Sequence, residues 1–296
     1  MATFAGVTEN AASLRRLFSA APAFVLGAAA VALYAPIYID FLRGPWRQDE
    51  NAHAPIVMAI AAGAAGVRLA TERFDQRPTA AEQATGFAVI IFGLGLIAAG
   101  SATETDLFLS ASQTFVASGV VLSLFGAPGL RRLWFPLALT LYLVIWPGWA
   151  VDAVTAPLKI LVSSIVAEGL YATGLPVAHA GAVISAGPYQ LLVAAACSGL
   201  NSLVALTAVG AVYLYAVKHG DWRINAVVIA SLIPIAILAN IFRVAALTLI
   251  TLFFGYEAGQ GFMHDGAGLM MFAAALTLTF IVDSATIAIF TRRRPT

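Results

Sequence analysis

Sulfur and charge are scarce in this sequence. Its 296 residues include one cysteine, Cys197, so no internal disulfide can form and a bridged extracellular scaffold is excluded. That leaves the thiol as inert packing, a lipid attachment point or a reactive group. The four histidines are dispersed and have no second cysteine to join them, so no metal set is visible and no cofactor is expected. Charged residues make up 10% of the chain, 16 Lys and Arg against 15 Asp and Glu, a near-zero balance without a nucleic-acid signature. What remains is 60% hydrophobic, and apolar runs long enough to cross a bilayer recur from end to end. The composition is that of a polytopic membrane protein.

Predominantly apolar windows fall at 19–42, 53–71, 84–102, 106–126, 132–150, 197–217, 224–250 and 266–290. They predict an all-α transmembrane bundle of about eight spans, built as one integral domain over 1–296. Arg15 and Arg16 precede the first window as in a signal peptide, but that window is too long for a signal core, so a retained span is expected. Alternating spans place most cations, including Arg131, Arg132, Lys218 and Arg292 to Arg294, on one side, and leave Arg43, Arg47, Lys159 and Arg243 for the other. The first side is then cytoplasmic, with both termini.

The longest outer connection is 151–196, and its portion 153–172 is apolar enough to pass for a ninth span. Counting it would expose Arg292 to Arg294 externally. Asp152, Thr155, Lys159 and Ser163 recur at helical steps, a polar stripe that predicts an amphipathic interfacial or re-entrant helix instead. The following "AVISAGPYQLLVAA" reads as two short β-prone runs around a turn, a hairpin-like segment on the outer face that leads into Cys197.

Cys197 opens the sixth window on the outer side. Arg243 lies nineteen residues beyond Ile224, about 28 Å along a helix, and so reaches the same boundary. His264 precedes the last window, which must run inward, and shares that layer. Singly, each has a plain structural reading: a packed thiol, an arginine snorkelling to phosphates, a loop histidine beside Asp265. Together they suit nucleophilic acyl transfer. A histidine and a cation favour the attacking thiolate, a guanidinium holds the developing oxyanion or a substrate carboxylate, and the imidazole returns a proton to the leaving amine. Gly199 would let a substrate backbone come close without a side chain in the way.

"ACSGLNS" at 196–202, "ANIFRV" at 239–244 and "HDGAG" at 264–268 resemble the exosortase and archaeosortase family of membrane transpeptidase-like cysteine proteases, with the likeness concentrated over 170–272. The resemblance implies Cys197, Arg243 and His264 as catalytic residues, with Cys197, Ser198 and Gly199 forming the Cys-Ser-Gly motif. "NAHAPIV" at 51–57 looks like a further family segment, although Ala54 replaces its glycine, and Ala195 stands where an acidic residue often precedes the motif. The implied activity is cleavage of C-terminal sorting signals, each a short motif, a hydrophobic span and a basic tail, at the outer face of the cytoplasmic (inner) membrane. The implied partners are the tails of secreted proteins, membrane lipid and an acyl acceptor of unknown identity.

Other polar positions keep two readings. Asn240, one turn before Arg243, orients the guanidinium or bonds a neighbouring helix; Asn201, one turn after Cys197, assists the oxyanion or does the same. His53 is a supporting site candidate or an ordinary interfacial residue, and Asp283 an intramembrane proton-path candidate or a structural carboxylate. The competing functional classes are a transporter or flippase in surface-polysaccharide export, which would place polar groups at the bilayer midplane, and a noncatalytic scaffold.

Overall fold

The computed structural model describes residues 25–48, 51–74, 76–192, 199–217, 221–260 and 262–292, with backbone alone at 199–203, 205, 260, 262–272 and 291–292. Two compact units divide the chain, Met1–Ile145 and Trp146–Thr296. Both are helical, and the polytopic architecture expected from the apolar windows is what the chain forms. Among the described residues seven helices are long and apolar enough to cross a membrane.

The first unit contains α1 (Val25–Arg43), α2 (Ala54–Thr71), α3 (Ala80–Thr103), α4 (Asp106–Arg132) and the short α5 (Trp134–Leu139), which runs into a 3-10 turn at Thr140–Leu143. Lipid chains offer no hydrophobic drive for helices to associate, so contact depends on small residues that let backbones approach. Gly86, Gly93 and Gly100 recur every seven residues along α3, and all three are buried against α4. A Cβ at Gly86 would lie 2.2 Å from Ser123 Oγ and 2.8 Å from the Gly119 carbonyl oxygen, and one at Gly93 2.6 Å from Val116 Cγ2. Gly95, on the other face of α3, has nothing within 4 Å.

One carboxylate fastens this hairpin of helices. Thr79 and Glu82 form a capping box at the start of α3, where Glu82 accepts from the Thr79 N–H at 2.7 Å and Thr79 Oγ1 accepts from the Glu82 N–H at 3.2 Å. The same Glu82 accepts the Ala127 N–H at 2.8 Å, where α4 bends at Gly126 with φ 64 and ψ −167. Glycine is needed there twice over, because φ is positive and a Cβ would sit 3.1 Å from the Glu82 carboxylate. Polar side chains link other parts of the unit: Tyr34 shares a hydrogen bond with Ser112 at 2.9 Å, Tyr38 donates to Gln113, and Ser110 Oγ accepts the Ile145 N–H at 2.9 Å.

The window 132–150 does not form one span. Leu133 ends α4, α5 lasts six residues, the 3-10 turn stops at Leu143, and the chain then runs without helix to Pro147. Proline lacks an N–H and disfavours helical geometry in the residue before it, so no helix continues through 146–147. Pro147 instead stands as the N-cap of α6 (Gly148–Ala172), a continuous helix with the length and composition of a span. The polar stripe expected here is split: Asp152 is exposed and pairs with Lys159 Nζ at 3.2 Å, while Thr155 and Ser163 are buried.

The second unit continues with β1 (Val177–Ala180), β2 (Val183–Ala186), β3 (Tyr189–Leu192), α7 (Gly199–Val217), α8 (Trp222–Phe254), α9 (Tyr256–Gln260) and α10 (Phe262–Arg292). The strands form an antiparallel sheet in the order β1-β2-β3. The expected hairpin is β2–β3, and β1 adds a third strand. Both connections are two-residue loops, Gly181-Ala182 and Gly187-Pro188, whose glycines have φ 59 and 56 and whose second residues do not, the pattern of type II′ turns. Val177, Ile184, Ala186 and Leu191 bury one sheet face against Val162 and Val166 of α6 and Val244 of α8.

Substituting Gly86→Ala should destabilise the purified protein by about 1–3 kcal/mol through overpacking against α4, read as a lower thermal midpoint in detergent. Gly95→Ala should leave that midpoint unchanged or raise it; equal effects at the two positions would contradict the packing.

Candidate active site

Helix α8 carries Asn240 and Arg243, one turn apart and 3% and 7% exposed. Asp221 starts the helix by accepting the Arg223 N–H at 3.0 Å, and Gly255, φ 90, ends it. Between those ends α8 has two apolar faces. Leu206, Ile235, Ala236, Ala239 and Ala275 form one cluster, joining α8 to α7 and α10, while Val244, with Ile241, Ala245 and Leu252, turns toward the sheet and α6. At 100° per residue Arg243 falls about 40° from Ala239, at the flank of the α7/α10 face, and Asn240 about 100° from it, between the two clusters. Neither residue is isolated; both take part in polar or electrostatic contacts.

Packing fixes the heights of the neighbouring segments. A Cβ on Gly210 of α7 would lie 2.6 Å from Leu232 of α8, and Leu206 joins the cluster one turn further along α8, so the two helices run antiparallel. Gly199 precedes Gly210 by eleven residues and Arg243 follows Leu232 by eleven. Each stretch rises about 16 Å, which sets the first described turn of α7 level with Arg243. The Asn201 backbone belongs to that turn. Cys197 and Ser198 lie outside the described residues.

His264 belongs to the first turn of α10, described by its backbone. Ala275, eleven residues later in α10, joins the cluster of Ile235, Ala236 and Ala239, so the turn that carries His264 sits beyond Arg243, toward the C-terminal end of α8. At that height lies a residue that the sequence did not single out. Thr251 is fully buried, its hydroxyl has no hydrogen-bond partner among the described residues, and a Cβ on Gly259 of α9 would lie 2.1 Å from it. Its signal in the sequence was weak, a threonine two turns past Arg243 in an apolar run.

Asp283 is 2% exposed, and its carboxylate accepts a hydrogen bond from the Tyr213 hydroxyl at 2.6 Å, linking α10 to α7. Among the described residues no three His, Cys, Asp or Glu groups gather in a way that would hold a metal.

His53 belongs to the first unit, where it precedes α2. Its Nε2 lies 3.1 Å from the Tyr142 carbonyl oxygen, which makes Nε2 the donor and leaves Nδ1, buried and without a partner among the described residues, as the acceptor of a neutral ring. Burial pushes its pKa below the ordinary value, and the carbonyl partly opposes that.

A multi-pass helical membrane protein with a buried Asn-Arg pair level with the start of the helix that follows its only thiol is the class these features define. The family model for transmembrane exosortase (Exosortase_EpsH) matches residues 46–281, and the chain belongs to that family. Neither the curated proteins nor the solved structures yield a match.

Because folding lowers the His53 pKa, its contribution to stability is complete above the unfolded value, about 6.5, and declines as pH falls through that value toward the folded one. The thermal midpoint in detergent should therefore drop between about pH 7.5 and pH 5.5, and His53→Gln should flatten that slope. An unchanged slope would contradict the assignment.

Proposed function

We propose that this exosortase is a cysteine peptidase or transpeptidase that removes C-terminal sorting tails from secreted proteins, with Cys197 as nucleophile, His264 as acid and base and Arg243 as electrostatic stabiliser. The observation that supports it most is the buried guanidinium of Arg243 at the height of the α7 start, two residues after the thiol. His264 accepts the thiol proton, and the thiolate attacks the scissile carbonyl carbon. The oxyanion that forms faces a guanidinium in a water-poor site, where a fixed charge acts strongly. Collapse breaks the C–N bond as His264 gives its proton to the leaving amine, leaving a thioester that water or an amine resolves. The N-terminal end of α7 contributes a partial positive charge that favours thiolate. Asn240 positions the guanidinium, Asn201 and Gly199 line the approach, and His53 supports the fold of the first unit.

Charge supports the orientation. One crossing between Arg132 and the sheet is enough to keep both termini cytoplasmic and the site on the outer face of the inner membrane, and α6 supplies a helix for it.

The test is co-expression with a secreted protein from the same organism that ends in an apolar span and a basic tail, with the new C-terminus read by mass. Cys197→Ala should abolish cleavage, Arg243→Ala should slow it by about 10²-fold or more, and Arg243→Lys, which keeps charge but loses the planar fork, by about tenfold. Wild-type cleavage by a stably folded Cys197→Ala protein would end this reading.

A further inference from the structure

We propose that the open edge of β3 binds the substrate by strand addition, taking an extended segment of the sorting tail that flanks the scissile bond; the proposal rests on the function just given.

Register decides which backbone groups are available. In a two-residue hairpin the pair next to the turn, Ala186 and Tyr189, exchanges hydrogen bonds, as does Ile184 with Leu191. The N–H and C=O groups of Gln190 and Leu192 therefore point away from β2. No strand lies beyond β3, and no backbone group bonds Gln190 or Leu192 on that side, among the described residues. Their side chains are exposed, Leu192 at 52%, whereas Leu191 is buried in the core between the sheet, α6 and α8.

The opposite edge is different. On β1 the Val177 N–H is taken by the Leu175 carbonyl at 2.8 Å, and His179 lies 4.0 Å from Glu168 of α6. Exposed edges are normally blunted by charge, proline or a bulge. Tyr-Gln-Leu-Leu has none of these within the strand.

Position favours a peptide as the occupant. Leu192 precedes Cys197 by five residues, a reach of at most about 17 Å, so a chain paired with β3 and running past its end comes within range of the thiol. A sorting tail emerging from the bilayer must also satisfy its backbone where water is scarce, and an open strand supplies both donors and acceptors. Packing against α8 keeps that strand in place. The β2–β3 turn rests on the end of the helix, with Gly187 beside Leu252 and Tyr189 beside Gly255, and Val244, next to Arg243, packs beneath the sheet.

The experiment uses the full-length protein in membranes and a tail protein whose cleavage depends on Cys197. Cys197→Ser removes the chain's only thiol; Gln190→Cys is added, and single cysteines are walked along the tail through the cleavage site. Oxidation should give strong disulfide yields at every second tail position and weak yields between, across a window of about five residues. In the cleaving enzyme Gln190→Pro, which removes an outward N–H without touching the β2 ladder, should slow processing about tenfold, and Gln190→Ala, which keeps that N–H, should slow it far less. Flat yields, or a three-to-four-residue period, with Cys197-dependent cleavage intact would overturn strand addition and leave the nucleophile standing. Cleavage that persists in Cys197→Ala would overturn both.

Discussion

A guanidinium inside an apolar helix bundle has to be held by polar or charged groups, since the alternative is several kcal/mol of uncompensated desolvation. Arg243 imposes that condition on the second unit. It sits where α8 turns from the face shared with α7 and α10 to the face shared with α6 and the sheet, and both faces are closed by small or branched side chains, Ala236, Ala239 and Ala275 on one and Val162, Val166 and Val244 on the other. Close packing on two sides keeps the arginine from swinging out to lipid phosphates. A charge that cannot relax is the kind of group that stabilises charge developing elsewhere.

The sheet depends on the same helix. Three four-residue strands need a buried hydrophobic face or a helix to pack on. They persist here because Ile184 and Ala186 lie fully buried against α6 and α8 and because both loops use glycine where φ must be positive. The chain is thus carried along a rigid path from α6 to the threshold of the Cys197 segment, and its direction there is set by packing on the helix that holds Arg243.

Much of this was legible beforehand. Apolar run length gave the helices at 53–71, 84–102, 106–126 and 224–250 to within several residues, because burial in lipid is a one-dimensional property that composition records. The β2–β3 hairpin was announced by Gly187-Pro188, and the Asn240 and Arg243 spacing placed both on neighbouring faces of one helix. Hydropathy failed at 132–150, where Pro147 mattered more than apolarity and shifted the long helix to 148–172. β1 was missed because Val-Ala-His-Ala has little strand character of its own and is fixed by pairing with β2. Thr251 was missed because only tertiary packing shows that its hydroxyl is sealed off.

The Glu82 carboxylate bears on how the chain is made. It completes the start of α3 and also secures the bend at Gly126, forty-four residues later. During synthesis the earlier helix therefore lacks its final anchor until the later one has emerged from the ribosome and turned back. Only with both helices in place does the carboxylate have its full set of partners.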